Sequence, residues 1–149
     1  MSNVETNELQ KLIDINTDAC EFYETAQEKA DSPELKATFR SLESLHQSIV
    51  SDLQTRVIAK AGDKEANETV TGMATRFWGE LMASVSNDVD ETLVKHLEEA
   101  EDRCLHSMQD AIDNDSLLPG TKDLLRKELK TLRKSHDYMK DLKDYMMAA

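Results

Sequence analysis

Four apolar stripes, each stepping by three and four residues, constrain this chain more than any other feature. That spacing keeps one face of an α-helix apolar and leaves the rest polar. The first runs over about 5–30 through Leu9, Leu12, Asn16, Ala19, Tyr23, Ala26 and Ala30. The second runs over about 34–60 through Leu35, Phe39, Leu42, His46, Ile49, Leu53 and Val57. The third, about 89–113, carries Leu93, Leu97, Glu101, Cys104, Met108 and Ala111. The fourth, about 121–147, carries Leu125, Leu129, Leu132, His136, Met139, Leu142 and Met146. Helices of about 25 residues are near 37 Å long at roughly 1.5 Å per residue. Four of equal length can cover one another's stripes, so the expectation is all-α: a single four-helix-bundle domain over 1–149.

The breakers sit at the joints. Of two prolines and four glycines in 149 residues, Pro33, Gly62, Pro119 and Gly120 fall between stripes. Ser32 can cap a new helix, and Pro33 suits its first position. The connections near 31–33 and 114–120 are short, so each is expected to join an antiparallel hairpin. The connection 61–88 is long and is expected to recross the bundle, making the second and third helices parallel. It contains an amphipathic piece, Thr71 to Val85, with Phe77, Trp78, Leu81 and Met82. This short helix is expected to lie on the bundle's side or end, or to form a homo-oligomer contact.

Charge narrows the partners. Eighteen Lys and Arg against thirty Asp and Glu give a formal net charge of −12. Such a surface repels phosphate backbones and anionic lipid, so neither nucleic acid nor membrane is an expected partner. No stretch approaches the roughly 18 apolar residues of a membrane span. Residues 1–20 hold Glu5, Glu8, Asp14 and Asp18 without an apolar run, which reads as no signal peptide. Cys20 and Cys104 lie on separate helices with no close second cysteine, and read as reduced residues of a cytoplasmic protein.

Four polar residues interrupt the stripes at mid-helix: Asn16, His46, Glu101 and His136. A weak internal repeat aligns them. A shift of 85 sets Asn16 on Glu101, and a shift of 90 sets His46 on His136. Buried polar groups of this kind need partners. One reading is a hydrogen-bonded core network in which Glu101 accepts from the histidines, with Tyr23 bonding a member of the layer. The other is a metal site, since two imidazoles, a carboxylate and an amide oxygen suit one zinc, iron or manganese ion. Glu43 forms a Glu-x-x-His pair with His46 and is the alternative ligand. The corresponding residue on the fourth helix is Arg133, which cannot ligate. No Gly-rich phosphate loop, nucleophile elbow or Ser-His-Asp set is present, and no catalytic residue is assigned.

The stretches LIDINTDACEFYETA (Leu12 to Ala26), PELKATFRSLESLHQSIVSDL (Pro33 to Leu53), LEEAEDRCLHSM (Leu97 to Met108) and LKTLRKSHDYMKDL (Leu129 to Leu142) carry a resemblance. They resemble the bacterial ferritin-like four-helix-bundle proteins catalogued as a domain of unknown function, distant relatives of rubrerythrin and ferritin. The resemblance spans nearly the whole chain. It implies a ferritin-like fold of two hairpins and a crossover. In the di-iron relatives a Glu stands seven residues before the first-helix tyrosine, where this chain has Asn16. Their second and fourth helices carry Glu-x-x-His, where this chain has His46 with Ile49 and His136 with Met139. Glu101 alone keeps a carboxylate. The implied protein is a bundle with its di-metal site largely dismantled: non-enzymatic, in a stress-related or scaffold role, without a cofactor. The competing expectation is a metal-binding protein or residual metalloenzyme using His46, His136 and Glu101.

Overall fold

A computed structural model describes residues 3–61 and 88–148. Four helices account for nearly all of them: α1 (Asn3–Lys29), α2 (Pro33–Ala61), α3 (Val89–Ile112) and α4 (Pro119–Ala148). No strand occurs among the described residues. The joints are built by side chains that satisfy helix-end amides. Ser32 Oγ accepts from the Leu35 amide at the start of α2 (3.3 Å), and Asp88 accepts from the Glu91 amide at the start of α3 (3.0 Å). Asp90 then ties the two ends together, accepting from the Asp31 and Ser32 amides at 2.7 and 3.1 Å. Between α3 and α4, the Ser116 amide donates to the Asn114 side chain (2.8 Å), a local turn that reverses the chain.

α1 packs on α2 and α3, and α4 packs on α3 and α2. Thus α1 and α4 occupy opposite corners, as do α2 and α3. Side-chain pairs give the directions. Asn16 meets His46 while Gln27 meets Glu43, so α1 and α2 are antiparallel. Tyr23 meets Glu101 while Ile15 meets Cys104, and α1 opposes α3 likewise. Ser135 meets Glu101 and Lys143 meets Glu98, so α3 and α4 are antiparallel too. α2 and α3 therefore point the same way. Arg56, near the end of α2, bonds Thr121 at one end of the bundle, whereas α3 starts beside Asp31 at the other. The sequence between them, including the amphipathic piece Thr71 to Val85, lies largely outside the described residues. Among the described residues no helix is long and apolar enough to cross a membrane.

Among the described residues the core is two apolar clusters rather than one. Phe22, Tyr23, Ala26, Phe39, Leu42, Leu93, Leu97 and Met139 form part of the first. Leu9, Leu12, Ile49, Leu53, Cys104, Met108, Leu125 and Leu132 belong to the second. Asn16, His46, Glu101 and Ser135 are all buried; the last three fall between the two clusters along their helices, and Asn16 sits among α1 residues of the second.

The phase of α4 differs from expectation. Its buried line runs Leu125, Glu128, Leu132, Ser135 and Met139, while Leu129 and His136 are turned to the flank. Two stripes, sharing Leu125, Leu132 and Met139, were available to this helix. Apolarity favours the one through Leu129. The observed helix instead turns a small hydroxyl, Ser135, toward Glu101 and leaves His136 to exposed carboxylates. A second imidazole in the layer would need partners for both ring nitrogens, which Asp102 and Asp137 supply at the flank, whereas the smaller serine needs only Glu101.

Truncating fully buried Leu132 to Ala is expected to cost about 2–5 kcal/mol. Leu118→Ala, at a residue 46% exposed, is expected to change stability by no more than about 0.5 kcal/mol. Urea unfolding of both variants checks the contrast.

Candidate functional site

Every helix contributes to one buried polar layer. α1 gives Asn16 and Tyr23, α2 gives His46, α3 gives Glu101 and α4 gives Ser135. Each is 1% exposed or less. Glu101 is the hub. Its Oε2 accepts from the Tyr23 hydroxyl and from Ser135 Oγ (2.6 Å), and lies 2.8 Å from His46 Nε2. On the other side of the imidazole, His46 Nδ1 lies 2.8 Å from Asn16 Oδ1. Tyr23 and His46 also stack, their ring centroids 5.7 Å apart and their planes 30° apart.

Donor accounting assigns the protons. Asn16 Nδ2 donates to the Leu12 carbonyl one turn back (2.9 Å). Asn16 Oδ1 therefore faces His46 Nδ1, which must carry a hydrogen. Glu101 Oε2, accepting from two hydroxyls, is a carboxylate oxygen, so His46 Nε2 also donates to it. The pair is an imidazolium and a carboxylate, closed off from water.

Electrostatics agree with that accounting. Burial works to raise the Glu101 carboxyl. The His46 charge and the donors from His46, Ser135 and Tyr23 outweigh it and hold Glu101 below the ordinary carboxylate range. The same carboxylate, adding to burial, pushes the Tyr23 phenol and the Cys104 thiol well above their usual values. Glu101 Oε1 is buried with no hydrogen-bond partner among the described residues.

The structure therefore brings together Asn16, His46 and Glu101 of the expected site. It does not bring in His136 or Glu43. His136 sits at the α3–α4 seam with Nε2 2.5 Å from Asp102 and Nδ1 3.0 Å from Asp137. Glu43 stands at the rim of the bundle, accepting from Gln27 (2.7 Å) and Gln47 (3.4 Å). Ser135 was hidden by its more conspicuous neighbour. The signal for it was phase alone, seven residues from Glu128 and three from Leu132 on the buried line of α4.

Two further polar clusters were not anticipated. Thr121 accepts from Arg56 Nη2 (2.8 Å) and donates to buried Glu5, fastening α1, α2 and α4 at one end. Glu128 is buried beside Asp52. Burial and then that neighbour push its carboxyl up to about 8.

The donor set does not fit the metal ion that a ferritin-like resemblance implies. Both nitrogens of His46 carry hydrogens committed to partners, and Glu101 Oε2 is filled by three donors. Among the described residues, no three His, Cys, Asp or Glu side chains converge in a way that could hold an ion.

Residues 4–114 match the family model described as Domain of unknown function (DUF2383). That span takes in Asn16, Tyr23, His46 and Glu101, while Ser135 comes from α4 beyond it. No curated protein matches the chain, and no solved structure matches it.

Glu101→Gln would leave a buried imidazolium without its counter-charge, a loss expected to cost about 3–5 kcal/mol. Because the folded state lowers the Glu101 pKa, its stabilisation is present above the unfolded value of 4.5 and is lost as pH falls through the folded value. Acid unfolding of the wild type is therefore expected to be steeper in that window than that of Glu101→Gln.

His136 has the opposite sign. Burial works to lower it, but the bonds to Asp137 and Asp102 raise it above 6.5. Its contribution is complete below 6.5 and fades as pH rises through the folded value. His136→Gln is expected to destabilise the protein at mildly acidic pH and to matter little in alkali, as thermal unfolding across pH would reveal.

Proposed function

This chain belongs to the DUF2383 family, and we propose that it is a non-enzymatic ferritin-like bundle with a scaffold or stress-related role. In this reading a hydrogen-bonded brace stands where di-iron relatives keep metal. The observation that carries it is the commitment of both His46 nitrogens and Glu101 Oε2 to partners inside the layer. The directions of the helices support the ferritin-like part: neighbours are antiparallel and opposite corners parallel. That pattern is the one produced by two hairpins joined through a crossover. The free thiols of Cys20 and Cys104 suit a reducing, cytoplasmic setting.

A second reading rests on Glu101 Oε1, a buried acceptor of the layer without a partner among the described residues. A single zinc, iron or manganese ion would bind there with His46, provided His46 gave up its Nε2 proton; Asn16, across the imidazole on the Nδ1 side, would join only by rearrangement. His136 would join only by turning in from the flank.

Elemental analysis of protein purified without a histidine tag, soaked in each metal and dialysed, separates the two. The expected result is far less than one equivalent, unaltered by His46→Ala. One equivalent retained by the wild type and lost in the His46→Ala/His136→Ala double variant would replace the first reading with the second.

A further inference from the structure

The ionised residues of this protein are sorted by helix. α1 carries seven acids against two bases, and α3 likewise carries seven against two. α4 carries eight bases against five acids. Neighbouring α1 and α3 form an acidic side, and α4 occupies the corner opposite α1. A protein of net charge −12 thus bears a discrete basic stripe.

That stripe is Lys127, Lys130, Arg133 and Lys134. All four are exposed, and none makes an ion pair among the described residues. Its counterpart on α1 is Asp14, Asp18, Glu21, Glu24 and Glu28, partly or fully exposed and also without ion pairs among the described residues. Both stripes advance by three and four residues, so each presents a charge about every 5–6 Å along one helix face. The acids crowd one another. Burial and the Asp14 charge raise Asp18 against the pull of Arg103 on α3, and burial with Asp18 and Glu24 raises Glu21. A cationic surface laid against them would relieve that repulsion.

We propose that the α4 basic stripe of one copy docks on the α1 acidic stripe of a second copy. The two surfaces differ and lie at opposite corners, so the contact is heterologous. Each docked pair leaves one stripe of either sign open, and association proceeds head to tail into short open chains rather than a closed pair. Charge complementarity selects the partner. A second copy, itself of net charge −12, meets the same overall repulsion as any polyanion, and is favoured because its acidic charges recur at the helical spacing of the basic stripe. A second copy presents its own matching face.

Sedimentation velocity at about 20 mM and about 0.5 M salt provides the test, because screening shortens the reach of exposed charges from tens of ångströms to a few. The expected result is a weight-average mass above the 16.9 kDa monomer at low salt, rising with protein concentration and returning to the monomer at high salt. The triple variants Lys127→Glu/Lys130→Glu/Lys134→Glu and Asp14→Lys/Asp18→Lys/Glu21→Lys are each expected to be monomeric at low salt. Mixing the two is expected to restore association, since each then supplies what the other lacks. Helical circular dichroism and the thermal midpoint of each variant check that it is folded. If one fails, the single variants Lys130→Glu and Asp18→Lys, mixed in the same way, take its place. A monomer at every concentration in low salt overturns the proposal, and binding of heparin by that monomer would hand the stripe to a polyanion. Association that survives high salt also overturns it and points to an apolar contact.

Discussion

One carboxylate holds the four helices in register. Glu101 is buried, charged and in contact with side chains from all three other helices. An ionised carboxylate taken from water is tolerated only if its charge and lone pairs are answered. Here the answer comes from one imidazolium and two hydroxyls, and the imidazolium is itself anchored through Asn16 to the backbone of α1. Sliding any helix by a turn would break one of these bonds while keeping most apolar contacts. The apolar clusters above and below supply the bulk of the burial and are tolerant of sliding. The polar layer between them supplies the specification, a role of the kind attributed to single buried polar residues in coiled coils.

Much of this was legible in the sequence, because helices and their burial depend on a period that apolar residues display openly. The stripes through Leu9 to Ala30, Leu35 to Val57 and Leu93 to Ala111 are buried much as they read. So was the depth of Asn16, His46 and Glu101, each in phase with a stripe and each too polar to be there by accident. What failed was the fourth helix. Its residues offer two faces sharing every seventh position, and the choice between Leu129 with His136 and Glu128 with Ser135 differs by one residue. Apolarity pointed to the first. The fold took the second, in which Ser135 gives Glu101 a small hydroxyl donor and His136 finds Asp102 and Asp137 for its two nitrogens.

The buried acids Glu5 and Glu128 were illegible for a related reason. A glutamate near a helix end, or within a Lys-rich stretch, looks solvated unless its partner on another helix is known. Thr121 and Arg56 lie far from Glu5 in the chain, and Asp52 lies far from Glu128. Period alone reports which face a residue occupies. It does not report which opposing residue makes that face habitable.

The charge that fixes the bundle also suppresses ionisation of the phenol and the thiol beside it. Nucleophilic chemistry at a cysteine or tyrosine requires a thiolate or phenolate, or a group poised to form one near neutral pH. Burial alone would suppress Cys104 and Tyr23, and the negative hub beside them adds to it. Cys20 is pushed up to about 12 by burial and by the Glu43 charge. The layer's one base, His46, is spent as an imidazolium with both hydrogens engaged. A centre arranged in this way positions helices, which is the role the proposed scaffold reading gives it. Recognition then falls to the outer faces, where the sorting of acids onto α1 and α3 and of bases onto α4 gives this bundle its chemical individuality.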